Sequence, residues 1–226
     1  MTAFNTSTPQ LRLGSIAPNF HATTTQGELE FHSWKADSWA ILFSHPEDFT
    51  PVCTTELGAV ARLEKEWEAR NVKCIGLSVN TLESHGEWIK DINEVNDVTV
   101  KFPIISDDRT IATLYSMLDY QDLTNVDKKG MPLTVRSVFI IDDKNVIRLM
   151  ITYPAVCGRN FEEILRVLDS LQKGQEYKFA TPANWKQGDD VIIPPSVNSE
   201  DAEKLFPGFK TVKPYLRFAK SPYYRV

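Results

Sequence analysis

With 226 residues, 42% of them hydrophobic and 24% charged, the chain is long enough for one large domain, or one domain plus a small appendage, and too apolar to be disordered. A net charge of −5 without a basic stripe argues against nucleic-acid binding, which needs clustered Lys and Arg. No apolar run approaches the ~20 residues that span a bilayer. The cysteines, Cys53, Cys74 and Cys157, lie too far apart for a disulfide framework or a Cys-x-x-Cys metal site, and fit a reducing compartment, most simply the cytosol.

The polar segment Met1 to Gly14, with Arg12 as its one basic side chain, reads as neither a secretory signal nor a transit peptide, and residues 1–10 as a loose tail. Leu11 to Phe31 alternates loosely and turns at Gln26-Gly27, which predicts a hairpin of short strands. Ser33 to Ser38 reads as a connection, and the apolar run Trp39 to Ser44 as a buried strand. An amphipathic helix is expected over Leu57 to Glu68. Asn71 marks a break before a second buried strand, Val72 to Val79, and this strand–helix–strand order predicts parallel pairing with a right-handed crossover.

Next comes a helix from Leu82 to Val95, with Trp88, Ile89, Ile92 and Val95 on one face. Phe102 to Ser106 is a short strand, Arg109 to Met117 a helix, and Asp119 to Pro132 a polar loop. Thr134 to Ile141 and Val146 to Tyr153 flank a turn and predict a second hairpin. Phe161 to Gln172 has helical spacing and should stop before Gly174. Mixed crossovers and hairpins predict an α/β three-layer sandwich over residues 11–173. Beyond it prolines accumulate, and one short helix is expected over Ser199 to Phe206 with Ser199 as cap. Residues 174–226 therefore form a small C-terminal extension, unable to bury a core alone.

The chemistry concentrates in His45-Pro46-Glu47-Asp48-Phe49-Thr50-Pro51-Val52-Cys53-Thr54-Thr55-Glu56-Leu57. A lone cysteine sits where a strand has ended and a helix begins, and the unpaired N–H groups of a helix N-terminus favour a thiolate over a thiol. Its neighbours are Pro, Thr, Asp and Glu, not the apolar company of a packing cysteine. Arg136 stands inside an otherwise apolar strand, where a guanidinium needs a partner, either a surface carboxylate at a sheet edge or the sulfur.

Pro46, Thr50 and Cys53 form the pattern Pro-x-x-x-Thr-x-x-Cys, which resembles the active-site signature of peroxiredoxins. The string His-Pro-x-Asp-Phe-Thr-Pro-Val-Cys-Thr-Thr-Glu is similar to their one-cysteine subgroup, and the resemblance runs from about Leu13 to the C-terminus. It implies a thioredoxin-like fold and a thiol peroxidase without metal or organic cofactor. Cys53 is then the nucleophile, Thr50 hydrogen-bonds the thiolate or peroxide, Pro46 shields the sulfur, and Arg136 supplies positive charge beside it. His45 is expected to hydrogen-bond near the cysteine, or else to be a structural histidine. Glu56 and Arg159 match a supporting ion-pair network, structural or catalytic.

The resemblance also implies a homodimer built with the C-terminal extension. No cysteine follows Cys157, so the expected cycle uses an outside thiol; the sequence does not name the reductant, and glutathione, glutaredoxin, thioredoxin and ascorbate all stay open. A redox-sensing or holdase-type protein, switched by the same cysteine, is the alternative. Cys74 reads as packing. Cys157 stands where the family usually has Thr or Ser, close in sequence to Arg159, and a resolving or regulatory role stays open. His21 and His85, lacking identifiable partners, read as surface residues. Some relatives also hydrolyse phospholipids through a serine in Gly-x-Ser-x-Gly with a histidine and an aspartate. Here His32 and Ser38 persist, but Ala36-Asp37-Ser38-Trp39-Ala40 lacks both glycines and Lys144 takes the aspartate position, so that lipase activity is not expected.

Overall fold

In the computed structural model, which describes residues 11–222, the chain divides into two compact units, with the boundary in sequence between Arg159 and Asn160. The expected tail at residues 1–10 lies outside the described residues. The first unit is built on a seven-stranded mixed sheet. Its elements begin with the hairpin β1 (His21–Thr24) and β2 (Gly27–Glu30), the short helix α1 (Phe31–Lys35) and the strand β3 (Trp39–Ser44). They continue with α2 (Pro51–Arg62), α3 (Glu64–Ala69), β4 (Val72–Ser78), α4 (Leu82–Asn96), β5 (Ile104–Ser106), α5 (Thr110–Leu114), β6 (Arg136–Ile141) and β7 (Ile147–Tyr153).

The strand order is β2-β1-β5-β4-β3-β6-β7. As expected, β3 and β4 pair in parallel and β6 and β7 form an antiparallel hairpin. Strand β3 is buried along its whole length because it sits between β4 and β6. Its alternate residues Ala40 and Leu42 join Ile75, Leu77, Phe139 and Ile141 in an apolar core with Phe31 of α1 and Ile111 and Ala112 of α5. The carboxyl end of a fully buried strand is a rigid place from which to launch the Cys53 segment.

Several expectations are corrected. The segment read as a connection from Ser33 contains most of α1, whose N-cap Glu30 accepts from Ser33 N–H. The helix expected over Leu57 to Glu68 starts earlier, at Pro51, and is broken at Leu63 into α2 and α3. On α4 the buried stripe is His85, Trp88 and Ile92, while Val95 is exposed. His85 thus replaces Val95 on the inner face.

Helix α2 and helix α4 approach closely at Gly58, where a Cβ would lie 2.2 Å from Cγ of Asn96. The Asn96 amide is held there, donating to the carbonyls of Thr54 and Ile92. Arg62 adds bonds to Asn96 from the next turn of α2.

The second unit contains α6 (Phe161–Tyr177), β8 (Val191–Ile192), α7 (Ser199–Leu205), β9 (Lys210–Lys213) and β10 (Leu216–Ala219), with a small sheet ordered β8-β10-β9. Helix α6 does not stop before Gly174 but runs through it. The glycine is required there because a Cβ would lie 2.9 Å from the Phe179 carbonyl oxygen. The cap of α7 is Asn198, not Ser199; its side chain accepts from Asp201 N–H. Phe179, Trp185, Val191, Ile193, Val197, Ala202, Phe206 and Ala219 give this unit an apolar cluster of its own.

Candidate active site

Strand β3 ends at Ser44, and seven residues later α2 begins with Pro51 at its first position, where a missing N–H costs nothing. Cys53 therefore lies in the first turn of a twelve-residue helix, with the partial positive charge of that terminus around its sulfur. It is fully buried, at 0% exposure. Arg136, the first residue of β6, reaches it: Nη1 donates to Sγ at 3.2 Å and to Oε2 of Glu56 at 2.7 Å. The other side of the guanidinium is fixed by the Ala155 carbonyl, which accepts from Nε at 2.8 Å and Nη2 at 2.6 Å.

Glu56, one turn along α2 from Cys53, binds both arginines. Its Oε1 accepts from the backbone N–H and Nε of Arg159, at 2.7 and 2.9 Å, and its Oε2 accepts from Arg159 Nη2 at 2.8 Å. Burial alone would raise the Glu56 pKa; the Arg159 charge and hydrogen bonds, with Arg136 beyond, reverse this and hold it below the usual carboxylate value. Arg159 Nη1 also donates to the Ser137 carbonyl at 3.0 Å. Two guanidinium groups thus share one buried carboxylate, and the cation left over faces the sulfur.

The matching segments are extensive. Residues 13–150 match the AhpC/TSA family, and residues 170–208 match the C-terminal domain of 1-Cys peroxiredoxin. The mitochondrial peroxiredoxin PRX1 of Saccharomyces cerevisiae is 54% identical over 94% of this chain and 82% of its own. Human peroxiredoxin-6 is 50% identical over 94% of this chain and 98% of its own. Among solved structures, a cysteine-to-serine mutant of the peroxiredoxin 6 of Arenicola marina superposes with a TM-score of 0.89 at 44% identity, covering 94% of this chain and 99% of that one. A yeast mitochondrial 1-Cys peroxiredoxin, described for thiol resolution via glutathione/thioredoxin systems, gives 0.85 at 51%, covering 93% and 100%. The chain belongs to the 1-Cys peroxiredoxins. Its sheet and helices are accordingly those of the thioredoxin-like fold, with extra C-terminal strands in a small sheet of their own.

Within this peroxiredoxin, two anticipated contacts take a different form. The Thr50 hydroxyl donates to the Glu47 carbonyl at 2.8 Å and not to the sulfur, because Thr50 is the extended residue that turns the chain into α2. His45 also turns away from Cys53. Its ring is fully buried against Trp88, with centroids 5.0 Å apart, and Nε2 donates to Oδ1 of Asp48 at 2.9 Å. Pro46, between them, is buried.

His85 is not a surface residue. It is fully buried, with Nδ1 at 2.7 Å from Oδ2 of Asp48 and Nε2 at 3.1 Å from the Ile105 carbonyl oxygen. Ser84 donates to the same Asp48 oxygen at 2.7 Å. Burial would raise the Asp48 pKa, but the hydrogen bonds from His45 and His85 hold it far below the usual range. Burial pushes the His45 pKa down despite Asp48. His45, Asp48 and His85 offer atoms within 4.8 Å of one another, a spacing compatible with a metal ion. The carboxylate oxygens instead sit at hydrogen-bond distance from both rings, so the donor set closes on itself. Asp48 and Ser84 were not anticipated; the His-x-x-Asp spacing of His45 and Asp48 was the one local signal for them.

Phe49, between Asp48 and Thr50, has φ 55°. A non-glycine residue in this left-handed region costs about 1–2 kcal/mol, which the bonds on Asp48 offset by fixing the chain on one side. Cys74 is buried on β4, and burial pushes its thiol up. Cys157 is exposed. Its loop nevertheless borders the site: Ala155 binds Arg136, and a Cβ on Gly158 would stand 3.4 Å from Val52. The lipase remnants are engaged elsewhere or exposed. Ser38 donates to the Lys35 carbonyl at 2.5 Å, His32 bonds the Ala17 carbonyl, and Lys144 is exposed.

Proposed function

We propose that the chain is a thiol-dependent peroxidase that reduces hydrogen peroxide and organic hydroperoxides through a sulfenic acid on Cys53, by a one-cysteine cycle. The observation that carries this is the Arg136 Nη1 contact to Cys53 Sγ at the N-terminus of α2. The thiolate attacks one peroxide oxygen, the O–O bond breaks, and the leaving oxygen departs as water or alcohol after taking up a proton. An external thiol then attacks the sulfenic sulfur, releasing water and leaving a mixed disulfide. A second thiol frees Cys53 and leaves with the first as a disulfide.

The placement of individual residues supports a role for each. Cys53 is the nucleophile, and Arg136 with the α2 N–H groups stabilises negative charge on the sulfur and on the leaving oxygen. Thr50, whose hydroxyl proton is used by Glu47, keeps oxygen lone pairs to accept from the incoming peroxide. Pro46 excludes water. Glu56 and Arg159 hold Arg136 in place, and His45 acts through Asp48 on the preceding loop.

Glutathione, glutaredoxin or thioredoxin is the reductant class, supported by what is described for the yeast relative. The free cysteines support a reducing compartment, with the cytosol the simplest, and no described helix is long and apolar enough to cross a membrane. The C-terminal extension, residues 174–226, serves as a homodimer contact; exposed Val212 and Tyr215 support this. A sensor or holdase role is not favoured, since the relatives are peroxiredoxins along nearly the whole chain.

The test is to treat reduced protein with one equivalent of peroxide in the presence of dimedone and locate the adduct by mass spectrometry. The adduct is expected on Cys53 alone. An adduct on Cys157 instead, or none, contradicts the assignment.

A further inference from the structure

His85 lies 32 residues beyond Cys53 on a different helix, yet its bonds end on the loop that leads into the cysteine. Both of its ring nitrogens face acceptors. Nδ1 meets a carboxylate oxygen of Asp48, and Nε2 meets the Ile105 carbonyl oxygen, which can only accept. The Asp48 carboxylate already accepts from Ser84 at that same oxygen and from His45 at the other, so it acts as an acceptor on both sides. Both contacts are therefore hydrogen bonds only if each ring nitrogen carries a proton, which makes the ring an imidazolium. His45 differs: one nitrogen donates to Asp48, and Nδ1 has no hydrogen-bond partner among the described residues. The buried cluster is thus one anion, one cation and one neutral ring.

We infer that His85 is a positioning residue for the peroxidase reaction, held as a buried imidazolium that ties Asp48, and with it the loop from His45 to Thr50, to α4 and β5. This rests on the peroxidase assignment above. The tie reaches the reacting atoms along two short paths. Asp48 is two residues from Thr50, across the left-handed Phe49. The His45 carbonyl accepts from Thr134, two residues before Arg136. On the same face of α4, one turn along, Trp88 Nε1 donates to Thr54, the neighbour of Cys53. The titratable and charged groups facing the cluster are Asp48 from the loop after β3, His45 just beyond the end of β3, and Arg159, whose charge acts on His45; β5 contributes a carbonyl.

Deprotonation of His85 would leave one nitrogen without a proton, so either Asp48 or Ile105 would face a bare lone pair and the tie would break. The full-length protein is tested in two arms. In the first, ¹⁵N NMR of the wild-type imidazole rings at pH 7 should show His85 with both nitrogens protonated; a neutral tautomer pair overturns the inference without any variant being made. In the second, the rate constant for Cys53 oxidation by hydrogen peroxide is followed against pH, with the thiolate fraction measured separately by absorbance.

At constant thiolate, the wild-type rate should fall on the alkaline side together with the His85 NMR signal. His85→Asn keeps a donor toward Asp48 but cannot titrate, so it should lack that fall. His85→Leu should lose roughly tenfold to a hundredfold in rate at neutral pH, as displaced reacting groups do. An alkaline fall that persists in His85→Asn overturns the inference while leaving the peroxidase standing. A wild type that does not oxidise at Cys53 removes the peroxidase assignment itself, and the positioning role with it.

Discussion

At the scale of single residues, the site is an arrangement of charge around one sulfur. Glu56 accepts four hydrogen bonds, one from Arg136 and three from Arg159, in a buried setting. Glu56→Ala should destabilise the fold by about 3–5 kcal/mol, because two buried guanidinium groups lose their anion; urea unfolding of the variant measures this. Arg136→Ala removes a side-chain donor at the sulfur, the one seen among the described residues, and should slow Cys53 oxidation roughly 10²–10³-fold, the usual effect of losing a donor to developing charge. Stopped-flow oxidation at saturating thiolate reads it, and a loss below threefold contradicts the role given to Arg136.

The buried ionisable groups also set an acid limit. Asp48 and Glu56 have lowered folded-state pKa values, so the unfolded chain binds more protons than the native one as pH falls. Their stabilisation is complete above the ordinary carboxylate range, near 4, and declines below it. His45, also lowered, begins to cost stability earlier, as pH drops through about 6.5, where an unfolded histidine takes up a proton. Melting temperature should therefore fall in two stages from pH 7 to pH 3, and replacing His45 with Gln should flatten the first.

At the scale of elements, α2 is gripped by α4, and Gly58 is the position that permits it. Gly58→Ala places a Cβ against the Asn96 side chain, which donates to the Thr54 and Ile92 carbonyls and accepts from Arg62, and should cost about 1–3 kcal/mol from overpacking. Gly58→Ala paired with Asn96→Ala should recover part of the loss, as calorimetry can show. The buried sulfur has a further consequence for this helix. A small peroxide needs little space, but a reductant protein must reach Cys53 through an opened first turn. Slower alkylation by a bulky maleimide than by iodoacetamide is expected.

Legibility followed the range of the interactions. Strand β3 could be read from Trp39 to Ser44 because burial on both faces leaves an unbroken apolar run. The Cys53 segment could be read because Pro, Thr and Cys act locally at a strand–helix junction. His85 could not, since its partner Asp48 lies 37 residues away and a lone histidine carries no local mark. Gly174 misled because its reason is the distant Phe179 carbonyl and not a helix end. The small C-terminal sheet was missed because its strands are two to four residues long and lie among prolines.

At the scale of the whole molecule, one unit carries every residue of the site and the other carries a small core of its own. If the C-terminal extension joins two copies, light scattering should give about twice the chain mass of 25.7 kDa, and truncation after residue 173 should give the monomer. A full-length monomer at micromolar concentration removes the dimer proposal but leaves the chemistry intact. The exposed Cys157 is a separate matter. It borders the site without touching the sulfur, so Cys157→Ser should turn over as the wild type does.

The most direct test of the central claim is steady-state hydrogen peroxide consumption with excess dithiothreitol, comparing wild type with Cys53→Ser. Many peroxides consumed per subunit by the wild type, and none by the variant, is the predicted result. Consumption that stops after about one peroxide per subunit, or that survives in Cys53→Ser, contradicts a catalytic cycle at Cys53.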